Sequence, residues 1–520
     1  MDSPASKPTE SPELDALRDE LEARKAKARE MGGAAKLAAR KAQGMLNARE
    51  RIERLYDPGT FLESGLLAVS FRKEDRERSP TDGKITGWGK VEGREVACVA
   101  NDFTVMGASS SLINSRKIKH LRDLATKRGS PMVFLGESTG ARMPDAMGAE
   151  AMGFGDNPKQ YQRLRDTPWA SALLGHCYGS SAWYAAMSDF VVMRRGAILA
   201  VSSPKLTALA TGEKLDPEAL GGWQLHSEVT GFVDKVVDTD EQAIDAIKRF
   251  LSYLPAHRGE APPKQPVPKG SDDGTAQLPK HFPIERRRGY DVRKVLSAIF
   301  DRESLFELKA GFGKSLVTTF ARLGGDTIGL VANNPIHKGG AIDADACTKA
   351  TSFMVLCDSF NIPIVFMVDQ PGFLIGIEGE RRGMPGKVMN WMNALSLVTV
   401  PKLCVVMRKN YGQAVLNMGG GGNADAMLVW TTAEIGFMAP EFGSQIVHSD
   451  TAPDAASRAR QQEEMAQSTS AYAMAAIFNA QQVIDPRDTR IELIRLLDIH
   501  RSGLTKGVCE HLMRAWPTTL

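Results

Sequence analysis

Two short turns of small residues could carry out chemistry with the main chain alone. Gly179-Ser180-Ser181 follows an apolar run, and Gly412-Gln413-Ala414 follows the run "PKLCVVMRK". Each segment is typical of a strand, a turn and a helix. The first N–H groups of a helix have no internal partner, so they can stabilise an oxyanion with fixed dipoles. The repeated turn predicts two oxyanion sites, although tight packing of a helix on a strand would select the same small residues.

Four consecutive glycines, Gly419–Gly422, follow the second turn and suggest a phosphate-binding loop. Their spacing argues against it, because a Walker loop needs Lys and then Ser or Thr after its last glycine. Here Asn423 and Ala424 stand in those places. The chain's one Gly-Lys-Ser, at Gly313–Ser315, has Leu308 where the leading glycine should be. The glycine run therefore has no function that the sequence explains.

A rival motif is Gly136–Gly140, "GESTG", which matches the G-x-S-x-G pattern of a hydrolase nucleophile. Partners in the right chain order for a triad are available as Asp189 or Asp234 with His226 or His257. The position 232 residues after Ser138 is Gln370, so an internal copy of the segment keeps the turn without a nucleophile. We keep the hydrolase as a minor alternative.

Other reactive side chains carry weaker signals. We expect His176 and Cys177 to be core residues rather than a catalytic dyad, and Glu434 and Glu441 have no evident partner in the sequence. No two histidines have the spacing of metal ligands, so we predict no metal site.

Composition places the chain among ordinary globular proteins. Its 520 residues are enough for two to four domains, and a net charge of +3 indicates no nucleic-acid surface. The six cysteines form no CxxC pair, and no apolar run is long enough to cross a bilayer. With no evident signal peptide, these features predict a cytoplasmic protein. We interpret the basic run 24–40 as a solvated helix face, and Leu14, Leu17 and Leu21 predict an amphipathic opening helix from Ser11-Pro12 that packs on a neighbour.

The chain contains an internal duplication. Sliding it by 232 residues places "VEGREVACVANDFTVMG" on "LGGDTIGLVANNPIHKG", with Gly107 on Gly339 and Gly140 on Gly372. Residues 257–288 are rich in Pro, Gly and charge and indicate a linker. We therefore predict two copies of one fold, a domain at 1–256 and a second domain at 289–520.

Each copy alternates strand and helix. In the second copy, "TIGLVAN" and "IPIVFMVD" are short apolar runs, and "DADACTKATSFMVLCDSF" between them has a helical period. Such alternation predicts parallel strands with crossover helices, an α/β fold. Ligands in these folds sit at strand-to-helix turns.

A series of ordered motifs resembles the carboxyltransferase (β) subunit of biotin-dependent acyl-CoA carboxylases, of the propionyl-CoA and methylcrotonyl-CoA types. The motifs are "GMLNARERIERLYDPGTFLE" (44–63), "DFTVMG" (102–107), "TGAR" (139–142), "ALGG" (219–222), "FNIPIVFMVDQPGFLIG" (360–376), "TVPKLCVVMRKNYG" (399–412) and "AEIGFMAPE" (433–441). The resemblance covers about residues 35–515. It implies two crotonase-like halves, which agrees with the duplication.

The resemblance implies a reaction without a side-chain base. Carboxybiotin releases CO2, its ureido group takes the α-proton of an acyl-CoA, and the resulting enolate attacks CO2. The implied thioester donors are the N–H groups of Gly179 and Ser180, and the implied ureido donors are those of Gln413 and Ala414. Further implied contacts with the bound groups are Gly140, Ala141, Pro371, Gly372, Phe373, Gly412 and Leu416, with the acyl chain near Leu416. The family usually has Gly-Gly-Ala at both turns, so this chain departs from it at each.

The resemblance also implies partners. The sequence contains no Ala-Met-Lys-Met biotin site, so we expect a biotin carboxylase and a biotinylated carrier on other chains. We expect a homo-oligomer, a hexamer, with the first half of one subunit facing the second half of another. The alternatives are a biotin-independent acyl-CoA decarboxylase or thioesterase on the same fold, and a non-catalytic assembly subunit.

Overall fold

The computed structural model describes residues 12–149, 161–447 and 455–517. Its strands form two eight-stranded sheets of the same design. The first sheet contains β1 (Leu62–Ser64), β2 (Lys84–Val91), β3 (Arg94–Asn101), β4 (Met132–Thr139), β5 (Trp169–Tyr178), β6 (Phe190–Arg194), β7 (Ile198–Ala200) and β8 (Lys235–Val237). The second contains β9 (Phe306–Leu308), β10 (Leu316–Leu323), β11 (Asp326–Asn333), β12 (Ile364–Gln370), β13 (Lys402–Tyr411), β14 (Ala426–Trp430), β15 (Glu434–Gly436) and β16 (Gln482–Ile484).

The two sheets have one topology, because each strand of the first corresponds to the strand eight places later. The first sheet runs β1-β2-β3-β4-β5-β6-β8, with β7 beside the end of β5, and the second runs β9-β10-β11-β12-β13-β14-β16, with β15 beside β13. The first three strands of each sheet are antiparallel, and the remaining pairs are parallel. The predicted α/β class and the duplication are confirmed.

Helices connect the strands and cover the sheets. In the first half they are α1 (Pro12–Arg29), α2 (Ala34–Ala42), α3 (Ala48–Leu55), α4 (Leu112–Arg128), α5 (Met143–Ala146), α6 (Ser180–Met187), α7 (Pro204–Thr211), α8 (Pro217–Gly221) and α9 (Asp240–Tyr253). The later ones are α10 (Leu278–His281), α11 (Val292–Ile299), α12 (Ala344–Ser359), α13 (Ile377–Arg381), α14 (Met384–Leu397), α15 (Ala414–Asn417), α16 (Pro440–Val447), α17 (Ala455–Ser468), α18 (Ala471–Ala476) and α19 (Thr489–Arg501). No helix within the described ranges is long and apolar enough to cross a membrane.

The predicted linker, residues 257–288, contains no strand and only short helical segments, with α10 among them. The two halves on either side of it share a core of buried aromatic rings. Phe190 of the first half stacks on Phe250 at 4.7 Å and meets Phe306 of the second half at 5.6 Å. Tyr253 stacks on Phe320, again across the halves. The boundaries 256 and 289 stay a prediction, because this core is continuous.

Two expectations for the N-terminal region need correction. The opening helix α1 forms, with Ser11 outside the described residues, but Leu14 and Leu17 are 67% and 62% exposed, so they do not pack within this chain. The basic run is not wholly solvated, because Arg40 is buried and paired with Glu137. A buried carboxylate can therefore recruit a cation from a segment whose composition suggests a solvated surface.

The glycine run closes the short helix α15. Gly419, Gly421 and Gly422 have φ values of +89°, +63° and +85°, which side chains other than glycine rarely adopt. A Cβ on Gly420 would lie 2.4 Å from Val415 Cγ1. The run therefore reverses the chain after α15 and packs directly against that helix, which explains why it contains so much bare backbone.

We predict that Gly419→Ala lowers the free energy of unfolding by about 1–3 kcal/mol. The new Cβ would adopt a left-handed φ and lie 3.2 Å from Cys404 Cβ and from Phe366 Cδ2. Gly386→Ala in α14 is the matched control, because nothing lies within 4 Å of its added Cβ. That substitution should stabilise the protein by about 0.5–1 kcal/mol. Equal effects of the two substitutions in urea titrations would contradict this explanation.

Candidate active site: two turns with unpaired amides

The two sequence-predicted turns lie at equivalent places in the two sheets. Gly179 and Ser180 connect β5 to α6, and Gln413 and Ala414 connect β13 to α15. Gly179 has a φ of +60°, and Gly412, at the equivalent place, has +69°. These are the carboxyl ends of parallel strands, where open α/β sheets bind ligands.

The main-chain N–H groups of these turns have no acceptor among the described residues. This holds for Gly179, Ser180 and Ser181 at the first turn and for Gln413 and Ala414 at the second. Neither α6 nor α15 has a side-chain N-cap. The turns therefore keep the unsatisfied donors that the first turn of a helix leaves free.

A second turn lies beside each of these. Gly140-Ala141 follows β4, and Gly372-Phe373, after Pro371, follows β12. A Cβ placed on Gly179 would lie 3.3 Å from Gly140 Cα and 3.8 Å from Ala141 N. In the second half, a Cβ on Gly372 would lie 4.0 Å from Tyr411 O. Small residues let the two turns of each half approach closely.

Each neighbouring turn adds one more free donor. A bridge joins Ser110 to Ala141 in the first half and Ile342 to Phe373 in the second. The bonds on either side of Ala141 and of Phe373 are made, but the N–H groups of these two residues have no acceptor among the described residues. Each half thus combines two or three free amides from two turns, the arrangement that an oxyanion requires.

The duplication relates the two sets of donors with an offset of one residue. Gly412 corresponds to Gly179, and its N–H is occupied by Gly436 O at 3.0 Å. Gln413 and Ala414 therefore correspond to Ser180 and Ser181, whereas the sequence suggested Gly179 and Ser180. The N–H of Ser181 is the donor that motif comparison missed, and the roles of the predicted residues stay predictions.

A buried carboxylate anchors the strand before each neighbouring turn. In the first half, Glu137 binds Arg40 at 2.7 Å and Arg51 at 3.0 Å. In the second half, Asp369 binds Arg408 at 3.0 Å and Lys409 at 2.8 Å. The two carboxylates are 232 residues apart, the same offset as in the duplication. Sequence analysis missed this pair because the partner cations lie at unrelated positions in the chain.

Asparagines repeat in the same register. Asn101 donates to Glu137 O at 3.0 Å and to Ser181 Oγ at 3.1 Å. Asn333, its counterpart, accepts from Asp369 N at 3.2 Å. These buried side chains tie β3 to β4 and β11 to β12, so the strand ends and their turns are held in place.

A tyrosine directly precedes the glycine of each donor turn. Burial raises the pKa of Tyr178 to about 12, and its hydroxyl lies 3.1 Å from His176 Nδ1. Burial, with a hydrogen bond to Glu434, also raises the pKa of Tyr411. Both phenols stay neutral at physiological pH, so they add no negative charge beside the free amides. Arg286 pairs with Glu434 and Glu441, which gives these two glutamates the partner that the sequence did not reveal.

The hydrolase alternative is contradicted by the position of Ser138. This serine lies inside β4 and is fully buried, and its hydroxyl donates to Ala108 O at 3.0 Å. The partners of His226 are Leu199 O and Thr230 Oγ1 rather than a serine nucleophile. Within the described ranges, no three His, Cys, Asp or Glu side chains group as metal ligands.

Other expectations have mixed outcomes. Cys177 is buried as expected, but His176 is exposed rather than part of the core. All six cysteines are buried and free. Leu416 is half-buried on α15, one turn beyond the free amides of Gln413 and Ala414.

Residues 39–510 match the model of a family described as the carboxyl transferase domain. The chain belongs to this family. The methylmalonyl-CoA carboxyltransferase 12S subunit of Propionibacterium freudenreichii subsp. shermanii is 34% identical over 90% of this chain and 91% of its own length. The carboxyltransferase subunit of propionyl-CoA carboxylase from Haloferax mediterranei is also 34% identical, over 93% and 96%. These matches confirm the resemblance read from the sequence motifs.

A solved structure agrees with this carboxyl transferase assignment. The transcarboxylase 12S crystal structure, with methylmalonyl-coenzyme A and methylmalonic acid bound, superposes with a TM-score of 0.87 at 32% identity. The alignment covers 96% of this chain and 98% of that one, and that protein is described as a hexamer. The duplicated crotonase-like fold therefore extends across nearly the whole chain.

We predict that Asp369→Asn lowers the free energy of unfolding by about 3 kcal/mol or more, because it leaves two buried cations without a counter-charge. Asp485→Asn is the matched control, since Asp485 pairs with Arg487 at the surface. That exposed pair should change stability by less than about 1 kcal/mol. Urea titration of both variants measures the difference, and a mild effect at Asp369 would contradict its anchoring role.

Proposed function

We propose that this chain is the carboxyltransferase subunit of an acyl-CoA carboxylase. It moves a carboxyl group from carboxybiotin to the α-carbon of a short acyl-CoA. The observation that carries the proposal is the pair of equivalent pockets, each built from main-chain N–H groups without an internal acceptor. A reaction in which two separate oxygens become negative needs two such pockets.

The first pocket is assigned to the acyl-CoA. Gly179 and Ser180 donate to the thioester oxygen as the α-carbon becomes an enolate, and Ala141 N–H lies beside them. Gly140 lets the two turns approach. Fixed donors stabilise the developing charge without moving, so they lower the barrier rather than only binding the substrate.

The second pocket is assigned to biotin. A biotin group, when bound, supplies the carboxyl group and a ureido oxygen that takes up negative charge. Gln413 and Ala414 donate to that oxygen, with Phe373 N–H as a neighbouring donor. Pro371, Gly372 and Gly412 shape the pocket, and Leu416 lies close enough on α15 to contact a short acyl chain.

The two pockets have to meet for transfer to occur, and we propose that they do so between subunits of a hexamer. Large apolar side chains near both turns are exposed in the single chain. Ile375 and Phe437 near the second turn are 89% and 78% exposed, and Val201 near the first is 73% exposed. Apolar groups of this kind mark surfaces that another chain covers. The transcarboxylase hexamer supports the same arrangement.

Further partners follow from the proposed reaction. A biotin carboxylase must load the biotin, and a carrier chain must bring it to the second pocket. The cytoplasmic location suggested by the sequence stays a prediction.

The test incubates the protein with methylmalonyl-CoA and biocytin, a biotinylated lysine. We expect biocytin-dependent formation of propionyl-CoA. Loss of the carboxyl group without biocytin would favour a decarboxylase, release of free CoA a thioesterase, and inertness an assembly subunit. An avidin pull-down from the native host should also recover a biotinylated carrier with this chain.

We predict that Gln413→Pro lowers this turnover by about 10²–10³-fold, the usual effect of losing one oxyanion donor. Proline removes the N–H, and the φ of −62° at Gln413 already suits it. Gln413→Ala is the control, because it removes the exposed side chain and keeps the amide. Similar rates for the two variants would show that the amide of residue 413 is not a donor.

A further inference from the structure

The first donor turn carries a pair of hydroxyl groups that the reaction as described does not use. Ser110 Oγ and Ser180 Oγ lie 2.6 Å apart, and either hydroxyl can be the donor. Both side chains are only half-buried, so a ligand at the turn can reach them. Ser180 is also one of the residues where this chain departs from the glycine usual in the family.

The pair spans the segment that holds the free amide of Ala141. Ser110 N donates to Gly140 O at 2.8 Å, and Ser110 O accepts from Arg142 N at 2.9 Å. Ser110 is therefore fixed on one side of this segment, and Ser180, with its own free N–H, lies on the other. The hydroxyl pair sits where the two turns of the first pocket converge.

Counting protons shows why the pair has a donor to spare. Two hydroxyls carry two protons, and the bond between them uses one. If Ser110 donates to Ser180 Oγ, the proton of Ser180 is free to point at a ligand oxygen. A hydroxyl that already accepts a hydrogen bond is also a stronger donor.

The second pocket lacks this feature. The residues equivalent to Ser110 and Ser180 are Ile342 and Gln413. Ile342 is buried and has no polar group, and Gln413 is exposed. The hydroxyl pair therefore distinguishes the first pocket from the second.

We propose that the Ser180 hydroxyl, oriented by Ser110, donates a hydrogen bond to the thioester oxygen in addition to the main-chain donors. The proposal rests on the assignment of the first pocket to the acyl-CoA. Ser180 keeps its proton throughout and forms no covalent bond. Ser180 is then a catalytic residue, and Ser110 is a positioning residue that acts through it.

The first experiment measures kcat and KM of Ser180→Ala and Ser110→Ala with methylmalonyl-CoA and biocytin. We expect Ser180→Ala to lower kcat by about tenfold to a hundredfold with little change in KM, because the bond strengthens as charge develops. Ser180→Thr keeps the hydroxyl and should restore most of the rate. Ser110→Ala should have a smaller effect, and no further effect when Ser180 is already alanine.

The chain offers a matched control. Ser171 Oγ and Ser188 Oγ form another hydroxyl pair at 2.7 Å, away from both turns. Ser188→Ala removes a hydroxyl from a pair of the same geometry and should leave kcat unchanged. A wild-type kcat in Ser180→Ala, or equal losses in Ser180→Ala and Ser188→Ala, would overturn the proposal.

A binding measurement separates this inference from the proposed function. A CoA analogue with an anionic nitronate in place of the acyl group imitates the enolate. Calorimetry should show at least about tenfold weaker binding to Ser180→Ala than to the wild type, and unchanged binding to Ser188→Ala. Inactive wild-type protein with this binding difference would contradict carboxyl transfer and keep the hydroxyl donor. An active wild type with equal binding by Ser180→Ala would do the reverse.

Discussion

Main-chain N–H groups without an internal acceptor are the feature on which the rest of this structure depends. A free donor is costly unless water or a ligand satisfies it. This fold keeps such donors at the start of α6 and of α15 and beside them at Ala141 and Phe373. Because they belong to the backbone, they survive the change from glycine to Ser180 or Gln413 that distinguishes this chain from its family.

The scaffold holds those donors in place by charge. Glu137 and Asp369, at equivalent positions before the neighbouring turns, each neutralise two buried cations. Removing either carboxylate would leave cations that the interior cannot solvate. The core of aromatic rings between the sheets joins both scaffolds into one unit, so the two pockets of a chain have fixed positions relative to each other.

Much of this could be predicted from the sequence because local patterns decide it. The strand, helix and strand of the second copy appear as β11, α12 and β12, and the matching of Gly140 to Gly372 identified the neighbouring turns. Contacts between residues distant in the chain could not be predicted in this way. Arg40 meets Glu137, and Arg286 meets Glu434, only after folding, because no spacing in the sequence encodes those pairs.

The glycine run shows a different limit. Its composition suggested an anion site, but its structural role depends on the contact of Gly420 with Val415 and on left-handed φ values, which only the fold determines. The Ser110–Ser180 pair is similar, since its two members are 70 residues apart. Chemistry that rests on single residues at turns was accessible from motifs, whereas chemistry that rests on pairs was not.

The central claim is that free amides polarise the carbonyl of a bound acyl-CoA. Difference infrared spectroscopy of propionyl-CoA labelled with ¹³C at the thioester carbonyl measures this directly. The account predicts that the labelled band moves to lower frequency on binding than in water, because several N–H groups donate to one oxygen. A band at the same or a higher frequency would contradict the account.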